Sequence, residues 1–330
     1  MALKAAIARR HFRDHGLEVG PERIVVGNGG KQVIFDALLA TVDDGDEVLI
    51  PTPYWSAYAL MTEVVGGRAT FVPCAAEAGF KLDPAALDAA ITPRTRWVVL
   101  NSPNNPTGAA LSRDELLAIG AVFQRHPHVW VMTDDMYGRL RFDGAPPMTL
   151  AEVAPELADR LLTVDGASKT YAMTGWRIGW GIGPAPLMRA MANMQGQATA
   201  GVSTVGQAAT AAALDGPQGG VADQVVAYRR RRDLVVDALR AMPGVECHRP
   251  EGAFYVFPSI AALLGRHSRG GAAVDTCAAF ATALLEEAHV ATVPGRAFGG
   301  PGHLRLSTAT DDATLVRACA AMADFVRDLR

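Results

Sequence analysis

Cysteine is scarce and unpaired in this 330-residue chain. Cys74, Cys247, Cys277 and Cys319 stand far apart, with no C-x-x-C spacing. Neither a zinc site nor a thioredoxin-like redox pair is therefore expected. Four scattered thiols fit a reducing compartment, where each acts as a small hydrophobe, and a cytoplasmic location is expected. Excess charge of either sign is also lacking. Lys plus Arg number 31 against 34 Asp plus Glu, for a net charge of −3, which gives no reason to expect nucleic acid or an anionic membrane as partner. No apolar run is long and uninterrupted enough to span a bilayer. The opening segment, Met1 to Phe12, reads as an amphipathic helix rather than a secretion signal. Internal repeats are missing as well.

What is plentiful is apolar residues, at 49%, so disorder is excluded. The length is too great for one small core and points to two domains. After the first helix come short β-branched runs: Arg23 to Gly27, Glu47 to Ile50, Ala69 to Val72, Trp97 to Leu100, Val129 to Thr133, Leu161 to Val164 and Arg177 to Ile182. Helical periodicity covers Lys31 to Thr41 and the stretches near 54–64, 84–91 and 112–125. Such alternation predicts an α/β domain with a mostly parallel sheet covered on both faces. A long helix is expected over 218–242. Beyond it, short strands (Ala253 to Phe257, Val290 to Val293, Leu304 to Ser307) alternate with helices near 271–287 and 311–328. The domain boundary is placed near 222, giving a large domain over 1–222 and a smaller α+β domain over 223–330. Arg229 to Arg232, four arginines in a row, read as a solvated helix face, because a helix fans neighbouring side chains around its axis.

Several segments at strand ends could carry chemistry. Gly27-Asn-Gly-Gly-Lys-Gln lies between a strand and a helix, where glycines let backbone N–H groups crowd onto an anion. It matches neither a Walker A loop nor a dinucleotide fingerprint, since Gln32 occupies the deciding position in both; an ordinary glycine-rich turn is the plain alternative. Asn101-Ser-Pro-Asn-Asn-Pro-Thr-Gly closes a strand at the end where open α/β sheets bind ligands, though such residues also build simple turns. Asp134 and Asp135 follow an apolar strand. Either both are solvated, or Asp134 points inward with Tyr137 one turn on. Lys169 sits among small and hydroxylic neighbours, where a partly buried amine becomes a nucleophile toward aldehydes; a surface lysine is the alternative. Arg305 alternates with Leu304 and Leu306, and could hold a carboxylate or simply face solvent.

Taken in order, these segments resemble the pyridoxal-phosphate-dependent aminotransferases of fold type I, class I and II. SPNNPTG (102–108) and SKTYAMTGWRIG (168–179) carry most of the likeness. The similarity extends from about residue 3 through nearly the whole chain, and its motifs are nearest those of the bacterial aspartate aminotransferase group, including members that also take prephenate. The resemblance implies pyridoxal 5′-phosphate as cofactor and no metal. It implies Lys169 as the lysine that holds the cofactor through a Schiff base and moves the substrate's α-proton. Arg177 would pair with the phosphate, which Gly29, Gly30, Lys31 and Ser168 would also line. Asp134 would bind the pyridine nitrogen, Tyr137 and Asn105 the ring oxygen, and Trp55 the ring face. Arg305, with Asn105, would take the substrate α-carboxylate. The activity implied is ping-pong transfer of an amino group from an L-amino acid, aspartate by preference, to a 2-oxo acid such as 2-oxoglutarate, in a homodimer.

Two departures from the family pattern stand out. Many relatives have a serine three residues before the lysine, where this chain has Gly166. The family's N-terminal arm, its first small-domain segment and a tyrosine lent to the neighbouring subunit's phosphate precede the point where this sequence begins. A chain lacking them is expected to be short of part of the substrate lid and of the dimer grip. Four other readings remain open: a β-lyase with the same cofactor, a broad or aromatic aminotransferase, a cofactor-binding protein with little activity, and a ligand-sensing domain without catalysis.

Overall fold

Apolar runs flanked by turn residues become strands buried on both faces. Trp97, Val98, Val99 and Leu100 are all buried, as are Val129, Val131 and Met132. The computed structural model describes residues 1–330. Seven strands, β1 (Ile24–Gly27), β2 (Glu47–Thr52), β3 (Arg68–Pro73), β4 (Thr95–Asn101), β5 (Trp130–Asp134), β6 (Leu161–Gly166) and β7 (Gly179–Ile182), form one sheet. Their order is β1-β7-β6-β5-β4-β2-β3. β2 to β6 pair in parallel. β7 is antiparallel to both β6 and β1, because the chain after β6 doubles back and sets Gly179 opposite Gly166. A second sheet of β8 (Tyr255–Val256), β9 (Val293–Pro294) and β10 (Leu304–Ser307) is antiparallel, in the order β8-β10-β9.

Helices flank both sheets: α1 (Ala2–His15), α2 (Gly30–Leu39), α3 (Ala57–Val64), α4 (Pro84–Ala90), α5 (Arg113–Arg125), α6 (Leu150–Val153), α7 (Ala167–Thr170), α8 (Ala185–Ala198), α9 (Thr204–Asp215), α10 (Gly219–Arg240), α11 (Cys277–Ala288) and α12 (Asp312–Asp328). Local chemistry fixes several boundaries. α5 opens with a reciprocal capping box between Ser112 and Glu115. α11 starts at Cys277 rather than near 271, because the Thr276 hydroxyl accepts the Ala279 N–H and caps it there. α8 and α9 were not distinguished by apolar period; alanine and glycine blur the pattern in both. No helix is long and apolar enough to cross a membrane.

Two apolar clusters cover the two faces of the large sheet, one including Val33, Ile34 and Trp97, the other Leu87, Ile119 and Phe123. A separate cluster from Val235 to Leu329 lies between α10, α11, α12 and the small sheet. Met136, Tyr137 and Leu140 pack with Ala253 and Tyr255 across the seam between the two bodies. The carboxyl ends of β4, β5 and β6 open onto that seam.

Candidate active site

A cavity of about 300 Å3 lies at the seam. Strand ends, helix starts and the small sheet each deliver part of its lining. β4 ends at Asn101, β5 at Asp134, and the turn after β6 carries Ser168 and Lys169. The start of α2 supplies Gly30 and Lys31, Trp55 lies just before α3 and Tyr58 in its first turn, and Tyr255 and Arg305 come from the small sheet. Asn105, Tyr137 and Arg177 also line the cavity, so every side chain that the resemblance assigns to cofactor or substrate reaches one space. Gly29 touches it through Arg177.

Asp134 is buried, at 6% exposure. The Tyr58 hydroxyl donates to its Oδ2 at 2.6 Å and the Met136 N–H to its Oδ1 at 3.2 Å. Desolvation pushes its pKa up to about 6, against the opposing pull of the Tyr58 hydrogen bond. It is thus mostly ionised at neutral pH and ready for a cationic partner. Asp135 is half-buried and outside this cavity, with its Oδ2 shut off from solvent.

Lys169 is half-buried on α7 and shares the cavity with Arg177 and Arg305. Its pKa is lowered, first by desolvation and then by the two guanidiniums, while Asp134 acts in the opposite sense. No salt bridge neutralises it within the chain. A lysine in these surroundings releases its proton more readily than one on a surface.

The glycine-rich turn before α2 packs closely against Arg177. Gly29 adopts φ 88 as the N-cap of α2, a conformation that favours glycine. A Cβ there would collide with Nη2 of Arg177. Arg177, itself at φ 56, is anchored by donating to the carbonyls of Asn28 at 3.1 Å and Thr174 at 2.9 Å. At position 166 a Cβ would lie 3.0 Å from the Ile178 carbonyl oxygen, so a serine there would force that neighbour to move. Thr174, which the sequence reading passed over, lines the cavity instead, beside Ser168.

Arg305 is clamped between the rings of Tyr255 and Phe298, at 4.6 and 4.5 Å. Its Nη1 donates to Asn105 Oδ1 at 2.9 Å. Because arginine only donates, that contact orients the Asn105 amide and turns its nitrogen to other acceptors. The Tyr137 and Tyr255 hydroxyls share a hydrogen bond of 3.0 Å, and burial raises the Tyr137 pKa well above its usual value. Tyr58 and Tyr255 escaped notice because an aromatic inside an apolar helix or strand looks like core; only the partner of its hydroxyl shows otherwise. Lys31 Nζ lies 4.9 Å over the Trp55 ring.

The residues fit pyridoxal phosphate. An amine of lowered pKa, a buried carboxylate, a guanidinium over a glycine-shaped helix start and a phenol match, in kind, its aldehyde, ring nitrogen, phosphate and ring oxygen. Comparison with known proteins agrees. The family model for aminotransferase class I and II matches residues 1–322. An aspartate/prephenate aminotransferase of Cereibacter sphaeroides is 50% identical over 327 residues, 99% of this chain and 82% of that protein. An aspartate aminotransferase of Rhizobium meliloti is 47% identical over 321 residues, 97% and 78% of the two chains. A crystal structure of the aspartate aminotransferase from Rhizobium meliloti superposes with a TM-score of 0.96 at 46% identity, covering 100% of this chain and 82% of the other. The aromatic aminotransferase of Pyrococcus horikoshii gives 0.92 at 35%, covering 99% and 85%. With this fold, this cavity and these matches, the chain belongs to the class I and II aminotransferases.

Proposed function

We propose that the cavity binds pyridoxal phosphate and that the protein moves the amino group of aspartate to 2-oxoglutarate. The observation that carries the reading is the meeting of Lys169, Asp134, Arg177 and Arg305 around one cavity. Lys169 would bind the cofactor aldehyde through Nζ and Asp134 would hold the ring nitrogen. Tyr137 and Asn105 would hold the ring oxygen, with Trp55 against the ring. Arg177, the amides at Gly29, Gly30 and Lys31, and the Ser168 and Thr174 hydroxyls would hold the phosphate. When bound, the cofactor supplies an electron sink for the charge left on the substrate's α-carbon.

The chain's own residues do the rest. Arg305 grips the α-carboxylate and fixes the direction in which the α-hydrogen points. Lys169 Nζ, once displaced by the substrate amine, is the base inside the cavity. Its lowered pKa favours the neutral amine needed to take up the α-proton and release it again. One site serves both half-reactions, so ping-pong kinetics follow. The preference for a dicarboxylate rests on the Lys31 ammonium, a cavity-wall cation beyond Lys169, Arg177 and Arg305 and with no carboxylate partner in the chain. Names of the similar proteins support the same choice.

We also infer the division into domains at 1–222 and 223–330, a cytoplasmic location and a homodimer. Exposed Leu60 and Val64 on α3 and Trp176 beside Arg177 support the dimer, since a second copy would cover them. Amino-donor profiling of the cofactor-loaded protein tests the assignment. Turnover of aspartate above phenylalanine and alanine is expected. A preference for phenylalanine would move the protein to an aromatic aminotransferase, and pyruvate formation without an oxo-acid acceptor would make it a lyase.

A further inference from the structure

Arg10 and Asp14 sit four residues apart on α1, a helix that contributes nothing to the cavity. Their side chains are nonetheless only 8% and 3% exposed. Arg10 Nη2 meets Asp165 Oδ2 at 2.7 Å and its Nε donates to Asp14 Oδ2 at 3.2 Å. Asp14 receives Arg139 twice, from Nε at 2.9 Å and Nη2 at 2.5 Å. Arg139 Nη1 donates to Gln218 Oε1 at 3.0 Å, and the same oxygen accepts the Tyr171 hydroxyl at 2.9 Å. The contacts therefore form a belt, Asp165–Arg10–Asp14–Arg139–Gln218–Tyr171.

Both ends of the belt lie in the segment that carries Lys169. Asp165 comes four residues before it and Tyr171 two after. At the near end Asp165 Oδ1 accepts the Gly166 N–H at 2.6 Å, at the start of α7, whose N-cap residue offers no side-chain cap. The middle of the belt, Arg139, follows Tyr137 by two residues and Asp134 by five. One helix thus ties the turn that presents the lysine to the loop that presents the carboxylate and the phenol. Buried charge pairs add little net stability, and apolar side chains of like size often replace them without loss. What a belt of directional contacts can add is a fixed separation between the two segments it joins.

We propose that Arg10 and Asp14 are positioning residues for the amino transfer, holding the Lys169 turn in register with the Asp134–Tyr137 loop through this belt. The proposal rests on the reading of Lys169 as the reacting amine. A misplacement of about 1 Å can cost roughly 100-fold in rate, so a loosened belt lowers kcat while leaving the groups that bind substrate in place.

The test uses Arg10→Met/Asp165→Asn, which removes both charges of one contact, and Gln218→Ala, which opens the belt at Arg139 without removing a charge. Each is measured as folded protein loaded with pyridoxal phosphate. The expected result is a kcat lowered about tenfold or more in the double variant and severalfold in Gln218→Ala. KM for aspartate and Kd for the cofactor should stay within about threefold. Arg10→Lys, which keeps one charge but not both contacts, should recover part of the rate. In cofactor-free protein, labelling of Lys169 by an amine-reactive reagent, read by peptide mass against Lys4, should change severalfold in the same variants. Wild-type kcat per loaded site, or a loss of rate matched by a loss of cofactor occupancy, overturns the proposal. Failure of the underlying reading looks different: Lys169→Ala would then transfer amino groups at the wild-type rate.

Discussion

The Tyr58 hydroxyl donates to Asp134 Oδ2 at 2.6 Å, both groups buried in the cavity wall. The bond favours the carboxylate over the acid, partly offsetting the desolvation that raises Asp134 to about 6. Removing it in Tyr58→Phe should push the Asp134 pKa higher. Asp134 must be anionic to hold a protonated ring nitrogen, so the acid limb of cofactor affinity should move to higher pH. Pyridoxal phosphate Kd, measured by fluorescence from pH 5 to 8, checks this. A limb unmoved in Tyr58→Phe contradicts the role given to the bond.

Asp134 also bears on stability. Its folded pKa of about 6 lies above the ordinary aspartate value of 3.8, so the folded state holds the proton more tightly than the unfolded chain. That contribution is fully present below pH about 4 and is lost as pH rises through about 6. Cofactor-free Asp134→Asn should therefore be more stable than wild type at pH 7.5, by roughly 1–3 kcal/mol, with the gap closing toward pH 4. Denaturant unfolding of the two proteins at both pH values provides the comparison; other titrating groups are common to both and cancel. A gap that widens on acidification reverses the sign and rejects the account of this group.

Arg305 owes its position to the Tyr255 and Phe298 rings and to Asn105. Arg305→Lys keeps the charge but loses the planar fork and the stacking. KM for aspartate and for 2-oxoglutarate should rise about 10–100-fold, with a smaller fall in kcat. Steady-state kinetics with both substrates decides it, and KM values within twofold of wild type would remove Arg305 from the carboxylate site.

Lys31 separates dicarboxylate from neutral substrates if its ammonium faces the distal carboxylate. Lys31→Met should raise KM for aspartate about tenfold or more, while KM for phenylalanine holds or falls. An equal change for both substrates would point to cofactor binding instead.

Strand ends were the legible part of this molecule. Trp97 to Leu100, Val129 to Thr133 and Leu161 to Val164 announce buried strands by composition alone, and the polar residues after them, Asn105, Asp134 and Lys169, line one cavity because parallel strands share one carboxyl end. The backbone direction of β7 was less accessible, since Arg177 to Ile182 reads as a strand whichever way it runs. Helices α8 and α9 were hidden by alanine and glycine, which weaken the apolar period. The belt through Arg10 and Asp14 was invisible for a different reason. Its members are scattered from residue 10 to residue 218, and nothing in the local sequence of α1 tells a buried arginine from a solvated one.

The central claim is that Lys169 is the amine that takes the cofactor. Borohydride treatment of protein incubated with pyridoxal phosphate, followed by peptide mass analysis, tests it most directly. The account expects the reduced cofactor on the Lys169 peptide and none in Lys169→Ala, with amino transfer from aspartate lost in parallel. A label on Lys4, Lys31 or Lys81 instead, or full transfer by Lys169→Ala, would contradict it.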